Sequence, residues 1–176
     1  MVGSSTSLSH PMLANDHASA WLGIEVLELG DGHATIAMTL RKEMMNGFGV
    51  THGGMIFAFA DSAFALACNP ADGDGSTITV GSGVDVNFLK PSREGQRITA
   101  AAKRRSSQGR SGIYDVRIFA GSPEDRDVIA EFRGRSRTVL NKAAATTVAS
   151  TTAAAKTVPV TTTATSDPSS REVGQR

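Results

Sequence analysis

The sequence predicts an α+β fold in which one long helix lies against a sheet of about half a dozen strands. The segment 55–68 is apolar and rich in alanine, and at that length a helix is favoured over a strand. A shorter helix is predicted for residues 12–22. Six other segments have the composition of strands and are bounded by glycine, proline or charged turns: 24–29, 33–40, 78–89, 97–105, 113–120 and 128–139.

Length and composition indicate one globular domain. The chain has 176 residues, 40% of them hydrophobic, and a formal net charge of +1, so nothing favours a nucleic acid or a membrane as partner. One cysteine cannot form an intrachain disulfide, and the four histidines lack metal-ligand spacing. We therefore expect a cytoplasmic protein without a bound metal.

The two ends of the chain differ from the middle in composition. Residues 1–11 are rich in serine and lack the basic start and apolar run of a secretory signal, so we predict a flexible N-terminus. Residues 141–176 consist largely of Ala, Thr, Ser and Pro without an aromatic residue, and we predict a disordered tail there. The folded domain is expected to span residues 12–140.

Asp61 is the most unusual residue of the sequence, because it places a carboxylate in the middle of the apolar helix. A buried charge without a partner is costly, so such a group either meets a local donor or serves a site that uses its altered basicity. A carboxylate satisfied by nearby hydroxyl and amide groups is the alternative. We favour the functional interpretation.

The loop before this helix, residues 46–54, reads Asn-Gly-Phe-Gly-Val-Thr-His-Gly-Gly. It leaves unpaired N–H groups at the helix start, where a ligand can approach glycine closely. Such donors, aided by the helix dipole, stabilise the oxyanion that forms in acyl transfer. Two glycines alone indicate only a cap or a turn, but with Asn46 upstream and Asp61 downstream they predict a catalytic site.

The spacing of Gly53 and Asp61 implies that an active site using both residues is formed by two chains. Eight residues correspond to about 12 Å along a helix axis, so one substrate carbonyl cannot contact both groups of one chain. We therefore predict a homodimer with antiparallel helices, in which Asp61 of one chain lies beside Gly53 of the other. Other hydrolytic designs have little support, since there is no Gly-x-Ser-x-Gly elbow and Cys68 lies at the far end of the helix.

With these motifs the sequence resembles the hotdog-fold acyl-CoA thioesterases, and among them the branch of the phenylacetate degradation pathway. The resemblance covers residues 12–140 and implies a curved antiparallel sheet of five or six strands wrapped around one long helix. It also implies a homodimer or a dimer of dimers. The residues that carry the resemblance are Asn46, His52-Gly53-Gly54, Asp61, Ser82, 88–91 and 113–116.

The resemblance implies a role for each catalytic candidate. Asp61 would be the nucleophile or the general base for water, and the Gly53 amide would hold the thioester oxygen. Asn46 would position water or the carbonyl, and Ser82 would hydrogen-bond near the reacting water. For His52 we favour support of the loop over proton transfer. No separate cofactor is implied, because coenzyme A is part of the substrate.

The substrate implied by the resemblance is a small aromatic acyl-CoA of the phenylacetyl or hydroxyphenylacetyl type. Gly54, Phe48 and Phe57 are the candidates for contacts with it, together with Phe59 and Phe64. Packing in the core is an equally good explanation for the phenylalanines.

Basic residues on the last strand are candidates for contacts with the CoA phosphates. Arg133, Arg135 and Arg137 alternate with other residues, so a strand places all three on one face. Lys90 and Arg104 are further candidates. A solvated strand face is the alternative for each of them.

Two other functions compete with thioester hydrolysis. A hotdog enoyl-CoA hydratase needs a carboxylate and a histidine on this loop and helix, but here His52 precedes Asp61, the reverse of the hydratase order. A non-catalytic acyl-CoA-binding sensor would carry a DNA-binding or regulatory module, and the only extension is a tail without recognisable motifs.

Overall fold

The computed structural model describes residues 8–142, which form one antiparallel sheet and two helices. The strands lie in the order β1-β2-β4-β5-β6-β3. This architecture confirms the predicted α+β class. The elements are β1 (Glu25–Gly30), β2 (His33–Thr39), β3 (Thr77–Phe88), β4 (Arg97–Gln108), β5 (Ser111–Ala120), β6 (Val128–Leu140), α1 (His17–Leu22) and α2 (Gly53–Cys68).

Both helices begin where a side chain caps them, and this sets bounds that differ from the predicted ones. Helix α2 starts at Gly53, two residues earlier than expected, because the His52 side chain accepts a hydrogen bond from the Gly54 N–H. The predicted helix 12–22 is divided at Asp16, whose carboxylate caps α1 through the Ser19 N–H at 3.0 Å. A 3-10 turn, Pro11–Asn15, precedes it.

The N-terminal segment is anchored earlier than the sequence suggested. His10 is buried; its Nε2–H donates to the Asn69 carbonyl at 2.7 Å, and its Nδ1 accepts from the Met12 N–H. His10 therefore ties the chain to the C-terminal end of α2, and the flexibility of residues 1–11 stays a prediction. Residues 1–7 and 143–176, and with them almost all of the predicted tail, lie outside the described residues.

Helix α2 packs its large side chains against one face of the sheet. Phe64 contacts Tyr114 edge-on at 5.4 Å between ring centroids and Phe132 at 5.8 Å. Gly134 on β6 makes this approach possible, since a Cβ there would lie 2.7 Å from the Phe64 ring. The helix is therefore held at close range to the middle of the sheet.

Two apolar surfaces of the single chain remain uncovered. The stripe of α2 formed by residues 54, 58, 61 and 65 is exposed or half-buried. Strand β3 is an edge strand of 12 residues, and Ile78 and Val80 on it are 41% and 42% exposed. A long apolar edge presents unpaired backbone groups to which another strand can pair. Within residues 8–142 no helix has the length and apolar character needed to span a bilayer.

Candidate active site

The start of α2 carries one free backbone donor. The Gly54 N–H donates to His52 Nδ1 at 3.0 Å, and the Met55 N–H donates to the His52 carbonyl at 2.9 Å. Among residues 8–142 the Gly53 N–H has no hydrogen-bond partner. It lies at the positive end of the helix, so Gly53 offers a donor to an oxyanion.

The His52 side chain caps α2 and determines which N–H at the start of the helix is unpaired. Because its Nδ1 accepts the Gly54 N–H, the neutral ring carries its proton on Nε2. The side chain thus satisfies Gly54 and leaves Gly53 as the open N–H. This position fits the loop-supporting interpretation, and a part in proton transfer has no contact to support it.

Asn46 braces the loop that leads to the helix. Its Oδ1 accepts from the Phe48 N–H at 2.9 Å and from the Val50 N–H at 3.4 Å. Gly49 completes the turn with a left-handed backbone at φ +72°. The Asn46 amide nitrogen has no partner among the residues that the structure describes, so it is the part of the side chain that can reach water or substrate.

A cavity of about 350 Å³ lies beside Gly53, between the loop, the start of α2 and the end of β3. Its polar side chains are already paired: the Ser92 hydroxyl donates to Thr51 Oγ1 at 2.8 Å, and Lys90 forms an ion pair with Asp127. The remaining wall is apolar. Its lining residues are Val50, Thr51, Gly53, Ile56, Phe88, Leu89, Lys90, Pro91, Ser92 and Ile129.

Asp61 lies on the uncovered stripe of α2 and has neither a hydrogen bond nor an ion pair within residues 8–142. Although the residue is exposed in the single chain, the surrounding protein removes part of its hydration, and this raises the pKa of its carboxyl above the ordinary value. No cation or cap offsets that effect. The carboxylate is therefore more basic than a typical surface aspartate.

The single chain does not bring Asp61 and Gly53 together. Both lie on the continuous helix α2, eight residues apart, which is about 12 Å along its axis. A site that uses both groups on one bond needs a second chain.

Ser82 and the predicted aromatic contacts lie away from the cavity. The Ser82 hydroxyl donates to the Arg135 carbonyl at 3.0 Å on edge strand β3. Phe48 is 93% exposed in the loop, whereas Phe57 packs edge-on against Phe132 at 5.8 Å. Phe59 and Phe64 are buried in the core. None of these phenylalanines lines the cavity beside Gly53.

The predicted arginine face exists, and carboxylates hold two of its three guanidinium groups; Arg137 has no ion pair among residues 8–142. Arg133 binds Asp115 through two hydrogen bonds of 2.7 and 2.9 Å, and Arg135 binds Asp85 at 2.6 Å. Arg104 likewise forms two hydrogen bonds to Asp31. A groove of about 440 Å³ on this outer face is larger than the cavity at Gly53, and the ion pairs Arg133–Asp115 and Arg117–Glu131 line it. Phosphate contacts by these arginines would require the ion pairs to open.

Phe88 is the residue that the sequence interpretation did not assign to the substrate. Its ring tip meets Gly53: a Cβ added there would lie 3.0 Å from Phe88 Cζ. A signal was present in the sequence, because Phe88 and Leu89 are consecutive apolar residues and period two lets only one of them face the core. Among residues 8–142, side chains of His, Cys, Asp and Glu form no cluster that would hold a metal ion.

One antiparallel sheet packed against a long helix is the fold of a known family of enzymes. The family described as the thioesterase superfamily matches residues 48–126, a range that includes Gly53, Asp61 and Phe88. The chain belongs to this superfamily and has its hotdog fold. The predicted enzyme class, a thioester hydrolase, is confirmed by the likeness to an acyl-CoA thioesterase described next.

The individual relatives narrow the enzyme class further than the superfamily does. The chain is 34% identical over 131 residues to the acyl-coenzyme A thioesterase PaaI of Escherichia coli, covering 74% of this chain and 89% of that protein. The solved structure of E. coli PaaI has a TM-score of 0.66 over 73% of this chain and 88% of that one, at 34% identity. The structure of a variant of the phenylacetic acid degradation protein PaaI from Thermus thermophilus has a TM-score of 0.62 at 30% identity. The match covers 69% of this chain and 98% of that one.

Proposed function

We propose that the chain hydrolyses the thioester of small aromatic acyl-CoAs at sites shared by two copies of the chain. The observation that carries the proposal is the unpaired Gly53 N–H at the start of a helix that also bears an unpaired carboxylate, Asp61. The likeness to PaaI, an acyl-CoA thioesterase, supports the substrate class. The description of the T. thermophilus relative as a phenylacetic acid degradation protein supports an aromatic acyl group.

In the proposed reaction the thioester oxygen accepts the Gly53 N–H. By the general-base route, Asp61 takes a proton from water, and the oxygen of that water adds to the carbonyl carbon. By the nucleophilic route, the Asp61 carboxylate adds directly and forms an anhydride that water then hydrolyses. In both routes the oxyanion draws on the Gly53 donor, the C–S bond breaks, and the thiolate of coenzyme A leaves and takes up a proton. The unpaired, more basic carboxylate suits either route.

Two uncovered surfaces support the shared site. A second copy paired along the edge strand β3 about a two-fold axis would extend the sheet and bring in a second α2 that runs antiparallel. The uncovered stripe of α2 carries Asp61. Because the two helices would run antiparallel with these stripes facing each other, Asp61 of one chain would lie beside the start of α2 in the other chain. Phe48, almost fully exposed in the single chain, would gain a contact at the same boundary.

The supporting groups fall into two sets in this proposal. Asn46 presents its free amide nitrogen to water or to the carbonyl, and His52 keeps the Gly53 donor open by capping Gly54. Lys90, Arg104, Arg133 and Arg135 each hold a carboxylate, so each would have to leave its partner before it could contact a CoA phosphate.

The donor can be removed with little change of backbone by replacing Gly53 with proline. Proline is tolerated at the first position of a helix, and His52 before it has the extended backbone, φ −63° and ψ 129°, that a following proline requires. Gly53→Ala is the matched control, since it adds a Cβ at the same place but keeps the N–H. We expect kcat on phenylacetyl-CoA to be about 10²- to 10³-fold lower for Gly53→Pro than for Gly53→Ala.

Steady-state assays of both variants decide the outcome. Equal kcat for Gly53→Pro and Gly53→Ala would remove the oxyanion role of this amide. A wild-type protein that hydrolyses long aliphatic acyl-CoAs fastest would remove the aromatic part of the proposal and leave the thioesterase part intact.

A further inference from the structure

The cavity beside Gly53 has one feature that bears on the substrate, and the inference drawn from it rests on the proposed function. We infer that this cavity receives the acyl group of the substrate, and that Phe88 determines which acyl groups it accepts. A thioester held at the Gly53 N–H has an acyl arm and a pantetheine arm. The cavity begins at that amide, so one of the two arms enters it.

The ring of Phe88 stands directly beside the proposed oxyanion donor. Its Cζ lies 3.0 Å from the place where a Gly53 Cβ would be, and both Cε atoms lie 3.4 Å from it. The ring therefore points its tip at the Gly53 Cα and forms the wall of the cavity closest to the reacting carbonyl. The size of the side chain at this position limits what lies next to that carbonyl.

The polarity of the cavity favours the acyl arm. The pantetheine arm carries two amides, and burying an amide without a hydrogen-bond partner is costly. The hydroxyls of Thr51 and Ser92 are buried and bonded to each other, and the Thr51 N–H donates to the Ser92 carbonyl at 2.8 Å. The other side chains that line the cavity are apolar: Val50, Ile56, Phe88, Leu89, Pro91 and Ile129.

The size of the cavity and the exposed surface of the Phe88 ring favour an acyl group with a ring. About 350 Å³ is at the lower end of the range for small-molecule pockets, roughly 300 to 1,000 Å³, and is enough for an acyl group with one ring. Phe88 is 55% exposed although it is a large aromatic side chain. Its free surface can stack on an aromatic acyl group at offset or edge-on geometry. Phe88 is thus the aromatic contact that Phe48 and Phe57 do not provide.

The test compares acyl-CoAs on variants of Phe88. For Phe88→Ala we expect kcat/KM on phenylacetyl-CoA to fall about tenfold or more relative to kcat/KM on acetyl-CoA, because the methyl group of acetyl-CoA has no ring to stack on Phe88. Phe88→Tyr keeps the ring and is expected to retain the wild-type ratio. Leu27→Ala removes an exposed apolar side chain on β1, at the other edge of the sheet, and leaves the ratio unchanged.

A second variant changes another lining residue of the cavity, Val50, in case Phe88→Ala does not fold. Val50→Phe fills the cavity and is expected to reduce kcat/KM on phenylacetyl-CoA about tenfold more than on acetyl-CoA. An equal loss on both substrates, for either variant, would overturn the inference and assign the cavity to the pantetheine arm. That result leaves the proposed function standing, whereas a wild-type protein without activity on any acyl-CoA would remove the proposed function itself.

Discussion

The candidate site depends on two unpaired groups, and the sequence revealed them to different degrees. Asp61 was visible from sequence alone, because a carboxylate within an apolar helix is unusual wherever it lies. The choice between Gly53 and Gly54 as donor was suggested only by resemblance. The structure supplies a physical reason: His52 Nδ1 consumes the Gly54 N–H and leaves the Gly53 N–H open.

The proposed role of Asp61 predicts a specific defect in Asp61→Asn. The amide keeps the size of the side chain but is neither a base nor a nucleophile, so we expect turnover to fall by several orders of magnitude while acyl-CoA binding is retained. Single-turnover assays and equilibrium titration measure the two quantities separately. Turnover at the wild-type rate would exclude Asp61 from the mechanism.

The raised pKa of Asp61 gives the pH dependence a direction. Activity requires the carboxylate, so in the wild type kcat/KM is expected to fall on the acid side at a pH above the ordinary aspartate value of 3.8.

The raised pKa of Asp61 also makes folding stability depend on pH. The folded chain binds the Asp61 proton more tightly than the unfolded chain does. Asp61 therefore favours folding below pH 3.8, and this contribution is lost as the pH rises through its raised pKa. Asp61→Asn should therefore be at least as stable as the wild type at pH 7. Thermal unfolding that shows a large loss of stability would contradict the unpaired state of Asp61.

At the level of elements, the sequence predicted α2 and all six strands but not the contacts that set their distances. Periodicity and turn residues located each strand to within a few residues, because those signals are local. Strand order and register depend on contacts between distant segments. Arg133 illustrates the consequence: Asp85 on β3 and Asp115 on β5 both lie opposite it, so this arginine, expected to meet phosphates, is paired within the sheet.

Gly134 offers a test of how α2 packs on the sheet. A Cβ at Gly134 would lie 2.7 Å from the Phe64 ring, which Tyr114 and Phe132 hold in place. We expect Gly134→Ala to lower the free energy of unfolding by about 1–3 kcal/mol, the usual cost of overpacking a core. Gly47→Ala is the control, since its Cβ meets no atom within 4 Å. Urea denaturation of both variants measures the difference, and equal midpoints would mean that the helix is less closely packed than described.

For the whole molecule, the prediction concerns the edge strand β3. Val80 is an exposed apolar residue of this edge, and a lysine there opposes pairing with another strand. We expect Val80→Lys to produce monomers in analytical ultracentrifugation and to lose thioesterase activity. Leu27→Lys places the same charge on β1, the other edge of the sheet, and should leave the dimer and the activity intact. A fully active Val80→Lys monomer would show that one chain suffices.

The shared site is tested most directly by combining two inactive chains. Asp61→Asn lacks the carboxylate and Gly53→Pro lacks the donor, so each homodimer is expected to be inactive. A mixed dimer has one site with both defects and one intact site, made of Asp61 from the Gly53→Pro chain and Gly53 from the Asp61→Asn chain.

Co-expression of the two variants with different affinity tags isolates this mixed dimer. Random pairing at equal expression makes half of all dimers mixed, so we expect about a quarter of wild-type activity before separation and about half in the purified mixed dimer. Purified mixed dimers with no more activity than the parent homodimers would contradict the central claim, because each site would then lie within one chain.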